Sequence, residues 1–354
     1  MKFSNEVTTI TNTKIVPKVF DTVTKGSPLL QTLLQNAKEW KSGTQYETII
    51  KYQGTTNGGN TGIADKLDTT RQNTRVKMTW DPKQATKPIV IANIETTLNS
   101  GDERILDLLE TEFDSQAQEL ANLMAENVYL GSGVGNSWDS LANAADDGSN
   151  YANYGGLSRT TYPTIKAYYA AGLGALTTAK MATAYDAVSV GTERPNFLIT
   201  TKTLWTKFET LLNPMVRQNY TTSGYPKMNA YGAVVGKADS FGGSYGFDVL
   251  YYRGKGIASD EQAPSGSMYM LNNNAFFFAG INHVGKDFQQ VNFKGANDGT
   301  PAGVPGKVPM TRGFNFRSMM SPVDQLAEVG HLIYAGNFIC SNPRLIGQLK
   351  GLTA

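Results

Sequence analysis

Cysteine is nearly absent. Cys340 stands alone in 354 residues, so no disulfide framework can form within one chain. Its neighbours Phe338 and Ile339 are apolar, which marks it as a small buried hydrophobe. Histidine is scarce too. His283 and His331 are far apart and neither has a neighbour at metal-ligand spacing, so no metal and no cofactor is expected. No run approaches the ~18 apolar residues of a membrane helix, and MKFSNEVTTITNT lacks the apolar core of a secretory signal. The expectation is a chain that is made in the cytoplasm and has no membrane partner. A strong charge of either sign is also missing, since 32 Lys and Arg against 30 Asp and Glu give +2. That balance excludes a whole-molecule attraction to nucleic acid and leaves only a local basic face. Lys and Arg are scattered, with no basic stripe carrying interleaved aromatics.

What is present is material for real cores. Hydrophobic residues make up 40% and charged residues 18%, which excludes a disordered chain. The 36 glycines imply many turns and close backbone contacts. Residues 1–26 are Thr-rich, follow no period and read as an extended arm. Ser27-Pro28 opens a short helix with Leu29, Leu30, Leu33, Leu34 and Ala37 on its apolar face, expected to end near Trp40. Tyr46–Tyr52 and Thr74–Trp80 read as two strands, the second alternating Val76, Met78 and Trp80 against Arg75, Lys77 and Thr79. Residues 53–73 between them hold only Ile63, Ala64 and Leu67 as apolar side chains. Such a segment builds no core, and a two-stranded projection is marginal alone. It is expected to leave the body of the subunit and to be held by something else.

The strongest helical signal follows. Ser100 and Glu103 form a capping box. Leu106, Leu109, Phe113, Ala117, Leu120, Met124 and Val128 then recur at steps of three and four, one stripe along a helix that Gly131 ends. Its length, Asp102–Leu130, is roughly 43 Å. Leu109, Phe113, Leu120 and Met124 are its expected core residues. Glu103, Glu110, Asp114 and Glu119 are its wet face. Residues 131–160 read as a surface loop, in which Asp146-Asp147 is a solvated pair without calcium-loop spacing. Residues 164–190 are Ala-rich and read as helix interrupted near Gly172 and Gly174. Phe197–Thr200 reads as a buried strand, and Thr201–Leu212 as a helix ending before Pro214. Beyond residue 230 strands dominate: Phe247–Tyr252, Ser267–Leu271, Ala275–Ala279 and a C-terminal ribbon closed by Asn342-Pro343. Residues 294–309 read as a Gly/Pro loop. The class is α+β, with helices and strands segregated.

Two near-motifs bear on catalysis. Gly242-Gly243-Ser244-Tyr245-Gly246 matches G-x-S-x-G, with Asp248 or Asp260 and then His283 or His331 in hydrolase order. A nucleophile elbow needs a helix after the serine, and FDVLYY is a strand. Gly280 to Asp287 falls one residue short of a phosphate-binding loop. Asp287 stands where a Mg²⁺-binding hydroxyl belongs, and a strand-like stretch follows. Neither carries an enzyme reading, and no catalytic residue is assigned.

The order of elements resembles the major capsid protein of tailed bacteriophages, the Hong Kong 97-type shell fold. That resemblance implies an N-terminal arm at 1–40 and an extended hairpin loop at 41–95. It implies a peripheral domain at 96–132 and 321–354 with Asp102–Leu130 as its spine helix, and an axial domain at 133–320. FLITTKTLWTKFETLL is similar to the family's strand-then-helix, and GNFICSNPR to its chain endings. The implied function is a major head protein that self-assembles through hexamers and pentamers into an icosahedral shell around phage DNA. A separate scaffolding protein, a portal and non-specific contact with packaged DNA are the implied partners. The implied location is the virion, with assembly in the host cytoplasm. Ile63, Asp65, Lys66, Leu67 and Arg71 at the loop tip are the expected contacts between subunits. Two alternatives are an encapsulin-like nanocompartment shell and, more remotely, a serine hydrolase.

Overall fold

A computed structural model describes residues 27–41, 43–60, 62, 66, 68–94, 102–219, 249–281, 288–290, 313–323 and 326–354. In chain order these form α1 (Pro28–Gln35), β1 (Lys38–Glu39), β2 (Tyr46–Lys51), β3 (Arg75–Trp80), β4 (Lys83–Ala92), α2 (Asp102–Leu130) and α3 (Leu141–Ala144). Then come β5 (Asn153–Tyr154), β6 (Leu157–Ser158), β7 (Tyr168–Ala170), β8 (Gly174–Ala175), α4 (Thr178–Val188), β9 (Phe197–Thr200) and α5 (Lys202–Asn219). The chain continues with β10 (Val249–Tyr252), β11 (Lys255–Ser259), β12 (Met268–Leu271), β13 (Phe276–Gly280), β14 (Phe288–Gln290), β15 (Phe314–Met320), β16 (Ala327–Cys340), β17 (Gly347–Leu349) and β18 (Leu352–Thr353).

The fourteen residues of β16 organise the first sheet. They pair antiparallel with β4 over Ala327–Gly336 and with β13 over Gly336–Cys340. A third antiparallel partner, β15, runs beside Val329–Tyr334. The long helix α2 lies across β4 and β16, as its sequence stripe requires. Phe113, Ala117, Leu120, Met124 and Val128 are all buried, and the Phe113 ring meets Phe316 at 5.4 Å. The side chains of Leu106 and Leu109 lie outside the described residues, as does the capping box at Ser100. Phe113→Ala is therefore expected to cost about 3–5 kcal/mol in denaturant unfolding. Ser115→Ala, on the exposed face two residues away, should leave the midpoint nearly unchanged.

The second sheet has the order β10-β11-β9-β12-β17-β7 and mixes parallel with antiparallel pairs. Every residue of β9 and β12 is buried, because this sheet is covered on both faces. Alternate side chains part accordingly. Phe197, Ile199, Tyr269 and Leu271 join the core shared with α2 and the first sheet. Leu198, Met268 and Met270 instead pack with Met181 and Tyr185 of α4 and with Leu204 and Phe208 of α5. Strand pairing crosses residue 320 in both directions. β13, β14 and β15 belong to the sheet of β16, while β17 lies between β12 and β7.

Four sequence expectations are corrected. The first helix ends at Gln35, not near Trp40, because Lys38–Glu39 pair in parallel with Ala279–Gly280 and the Trp40 N–H donates to the Gly280 carbonyl at 2.9 Å. Residues 164–190 are mostly not helical. β7 pairs with β17, Gly172 and Gly174 have positive φ, and helix begins only after the Thr177 cap, so tertiary pairing overrides alanine's helix propensity. The helix after Thr201 runs through Pro214 to Asn219; a proline removes one backbone bond and need not end a helix. Finally, residues 131–160 are not a surface loop, since Trp138, Leu141, Ala144, Tyr154 and Arg159 are all buried.

Candidate assembly surfaces

The hairpin is rooted in the body at its base. β2 and β3 pair antiparallel from Tyr46↔Trp80 to Lys51↔Arg75. Met78 and Trp80 point into the core, where Trp80 meets Tyr154 edge-on at 6.0 Å. Tyr46 bridges Trp40 at 5.6 Å and Phe277 at 5.8 Å. The Thr79 N–H donates to the Gly155 carbonyl at 3.0 Å. Gly155 has φ +55, and a Cβ there would lie 3.0 Å from the Met78 side chain, so the turn between β5 and β6 needs glycine to receive the hairpin.

Outward of Lys51 and Arg75 one backbone rung remains, from the Tyr52 N–H to the Thr74 carbonyl at 3.1 Å, and beyond it side chains replace the ladder. Gln53 Nε2 donates to the Asn73 carbonyl at 2.9 Å, the Thr56 N–H to Gln72 Oε1 at 2.8 Å and Asn57 Nδ2 to the Thr70 carbonyl at 2.6 Å. Amide side chains thus supply the order that the glycines withhold. Lys66 and Arg71 are exposed on this tip. Ile63, Asp65 and Leu67 lie outside the described residues.

A second surface carries a signal that sequence reasoning missed. Val90, Val329 and Met320 sit side by side across β4, β16 and β15. Around that end Ile94 is 67% exposed, Leu326 86% and Val323 fully, and the Asn93 N–H donates to the Leu326 carbonyl at 3.1 Å. Apolar side chains gathered at one sheet end are uncommon on a monomer and mark a contact surface. Only the register brings these dispersed residues together.

Between hairpin and body lies a polar joint. The Asn337 side chain, fully buried on β16, donates to the Asp81 carbonyl at 2.9 Å and to Asp139 at 2.8 Å, and it accepts the Asp139 N–H at 3.0 Å. Gln45 Nε2 donates to Asp81 Oδ1 at 2.9 Å. Desolvation pushes the Asp139 carboxyl up to about 6, against the Asn337 bond and the Lys83 charge. An acid with a raised pKa holds its proton more tightly in the folded state. Stability from this group is therefore greatest below pH 4 and falls as pH rises through 4 to 6. Asp139→Asn should flatten that slope, by about 1–2 kcal/mol over the window because the side chain is not wholly desolvated. Denaturant midpoints at pH 4, 5, 6 and 7 measure it.

The chemistry candidates resolve differently. Ser244, Asp248 and His283 lie outside the described residues, as do Asn282 to Asp287 of the second near-motif. Asp260, the alternative acid, is a buried tie: it accepts from the Ser27 hydroxyl, from Tyr129 at 3.0 Å and from the Gln262 N–H at 2.9 Å. It joins the cap of α1 to the end of α2. Asp146, expected to be solvated, is buried with Arg159. Burial pushes the Cys340 thiol up to about 12, which keeps it protonated and unreactive. Among the described residues no cluster of His, Cys, Asp and Glu is arranged to hold a metal ion, and no helix is long and apolar enough to cross a membrane.

A long helix over a sheet, a second mixed sheet behind it and a projecting hairpin define the α+β shell fold of the Hong Kong 97 type. Solved structures share it along nearly the whole chain. The capsid asymmetric unit of cyanophage A-1(L) is 14% identical, with 93% of each chain covered and a TM-score of 0.63. The capsid of a native GTA particle gives 11% identity, 92% and 90% coverage and 0.52. The holo-SrpI encapsulin complex of Synechococcus elongatus gives 11%, 92% and 87%, and 0.51. No family model matches the chain, and no curated protein matches it.

Proposed function

We propose that this chain is a major capsid protein that builds an icosahedral phage head from hexamers and pentamers of itself. The observation that carries the reading is the TM-score of 0.63 to a cyanophage capsid subunit over 93% of both chains. A hairpin with little to bury in its own subunit and an apolar sheet end support it, because both are surfaces that a shell neighbour can cover. On this reading 1–40 is the arm, 41–95 the extended loop, 96–132 with 321–354 the peripheral domain and 133–320 the axial domain. Lys66 and Arg71, with Ile63, Asp65 and Leu67, touch the next subunit. A separate scaffolding protein and a portal are the partners, packaged DNA is met without sequence preference, and the location is the virion after assembly in the host cytoplasm. The role is structural and not catalytic.

The likeness to SrpI encapsulin favours a second reading, a nanocompartment around protein cargo. Negative-stain microscopy of the full chain, produced with and without its neighbouring genes, tests both. Closed particles are expected, and nucleic acid or protein inside them separates the two. A chain that stays monomeric at every concentration contradicts both.

A further inference from the structure

One dipeptide at the hairpin tip carries chemistry of its own. Of the 27 asparagines in the chain, only Asn57 is followed by glycine. A side-chain amide just before a glycine is the arrangement most open to ring closure, because the next backbone nitrogen can reach Cγ and no Cβ stands in its way. The setting leaves that approach clear. Gly58 is exposed, its N–H meets no acceptor among the described residues, and a Cβ there would find nothing within 4 Å. Two hydrogen bonds oppose the reaction. Asn57 Nδ2 donates to the Thr70 carbonyl at 2.6 Å, and Asn57 Oδ1 accepts from Gln72 Nε2. Gln72 is itself tied to Thr56, donating to its hydroxyl at 2.6 Å and accepting its N–H at 2.8 Å. Both polar atoms of the amide are thus engaged across the loop. Ring closure requires the amide to give up both bonds and turn back along its own backbone.

We infer that Asn57 is a site of spontaneous deamidation, that the bonds to Thr70 and Gln72 hold it in check, and that its conversion loosens the hairpin tip. In the step, the Gly58 nitrogen loses its proton to solvent base and bonds to Asn57 Cγ. The Cγ–Nδ2 bond breaks, and Nδ2 takes a proton from water and leaves as ammonia. Water then opens the cyclic imide at either carbonyl, giving aspartate or isoaspartate. Nothing is oxidised or reduced. Either product undoes the rung. A carboxylate has no N–H to donate to the Thr70 carbonyl, and the Thr70 N–H is already held by Asp68 at 2.9 Å. Isoaspartate also lengthens the main chain by a carbon and shortens the branch that reached across the loop. The modification stands apart from the shell reading, and only its effect on assembly rests on that reading.

The test follows the full chain, kept as free subunit at mildly alkaline pH, by peptide mass spectrometry, with enzymatic methylation to count isoaspartate. Deamidation is expected at Asn57 first. The two bonds should hold its rate roughly five- to thirtyfold below that of the same chain in urea. Gln72→Ala should raise the folded rate roughly fivefold and leave the urea rate unchanged. Asn57→Gln, whose amide stands a carbon farther out, should leave that peptide unmodified. The folded-against-urea comparison needs no variant, so it decides even if a variant fails to fold. An Asn57 that stays intact while other asparagines convert, one that reacts as fast folded as in urea, or a folded Gln72→Ala chain that reacts no faster would overturn the inference. Aged chain and Asn57→Asp should each give severalfold fewer sedimenting particles than fresh chain, and equal yields would overturn the loosening of the tip. If fresh chain forms no particles at all, the shell reading has failed, while the mass-spectrometric result still decides the modification.

Discussion

Asp146→Ala is expected to destabilise the subunit by about 3–5 kcal/mol, and Asp147→Ala by less than about 1 kcal/mol. The two acids are adjacent but do different things. Asp146 is 1% exposed and accepts four hydrogen bonds: the Gly148, Asn150 and Tyr151 N–H groups at 2.9, 3.2 and 2.9 Å, and Asn150 Nδ2 at 2.8 Å. It also faces Arg159, equally buried, at 3.9 Å. Desolvation lowers the pKa of that guanidinium, against the pull of Asp146. Arg159 in turn donates to the Tyr151 carbonyl at 2.7 Å, to Asn143 at 2.6 Å and to Ala144 at 3.2 Å. The pair therefore fastens the end of α3 to the turn that receives the hairpin. Alanine at 146 strands a buried positive charge and frees three backbone donors. Among the described residues Asp147 bonds only within its own turn, accepting from the Ser149 N–H and hydroxyl. Asp146→Asn, which keeps part of the hydrogen bonding and loses the charge, should fall between them in urea unfolding.

Replacing residues 53–73 with Asn-Gly should leave the melting temperature of the free subunit within about 2 °C and abolish or misdirect particle assembly. The Tyr52 N–H donates to the Thr74 carbonyl at 3.1 Å, so a two-residue turn can close the ribbon at that rung. The described tip residues are exposed or half-exposed and are held by rungs from one side of the loop to the other. The folded subunit gains little from them. A shortened chain that builds normal particles, or one that cannot fold, would contradict the expectation. Calorimetry and sedimentation measure the two halves separately.

The parts of this fold that were legible in the sequence are those whose order is local. Seven apolar residues at helical steps gave α2 from Asp102 to Leu130, the bounds the structure has. Alternation gave β3, and the Ser27-Pro28 cap gave α1. The failures share a different cause. Between residues 131 and 160, Gly, Ser and Asn outnumber apolar residues, so nothing local says that Trp138 and Arg159 are buried. Their burial depends on β13, β16 and Asp146. Ala-rich residues near 168 look helical until β17, almost 180 residues later, takes them as a strand. The candidate surfaces divide in the same way. An exposed, polar hairpin tip followed from composition. The Lys51–Arg75 pairing did not, because a slip of one residue in register would separate the pair. Nor did the apolar end of the first sheet, which three distant segments build together.

An electron cryomicroscopy reconstruction of particles assembled from the full chain tests most directly whether the hairpin is given to a neighbour. The expected density shows a closed shell in which residues 46–80 of each subunit leave their own body beyond Lys51 and lie over the adjacent copy. Particles in which the hairpin folds back on its own subunit, or a preparation with no closed shell, would contradict it.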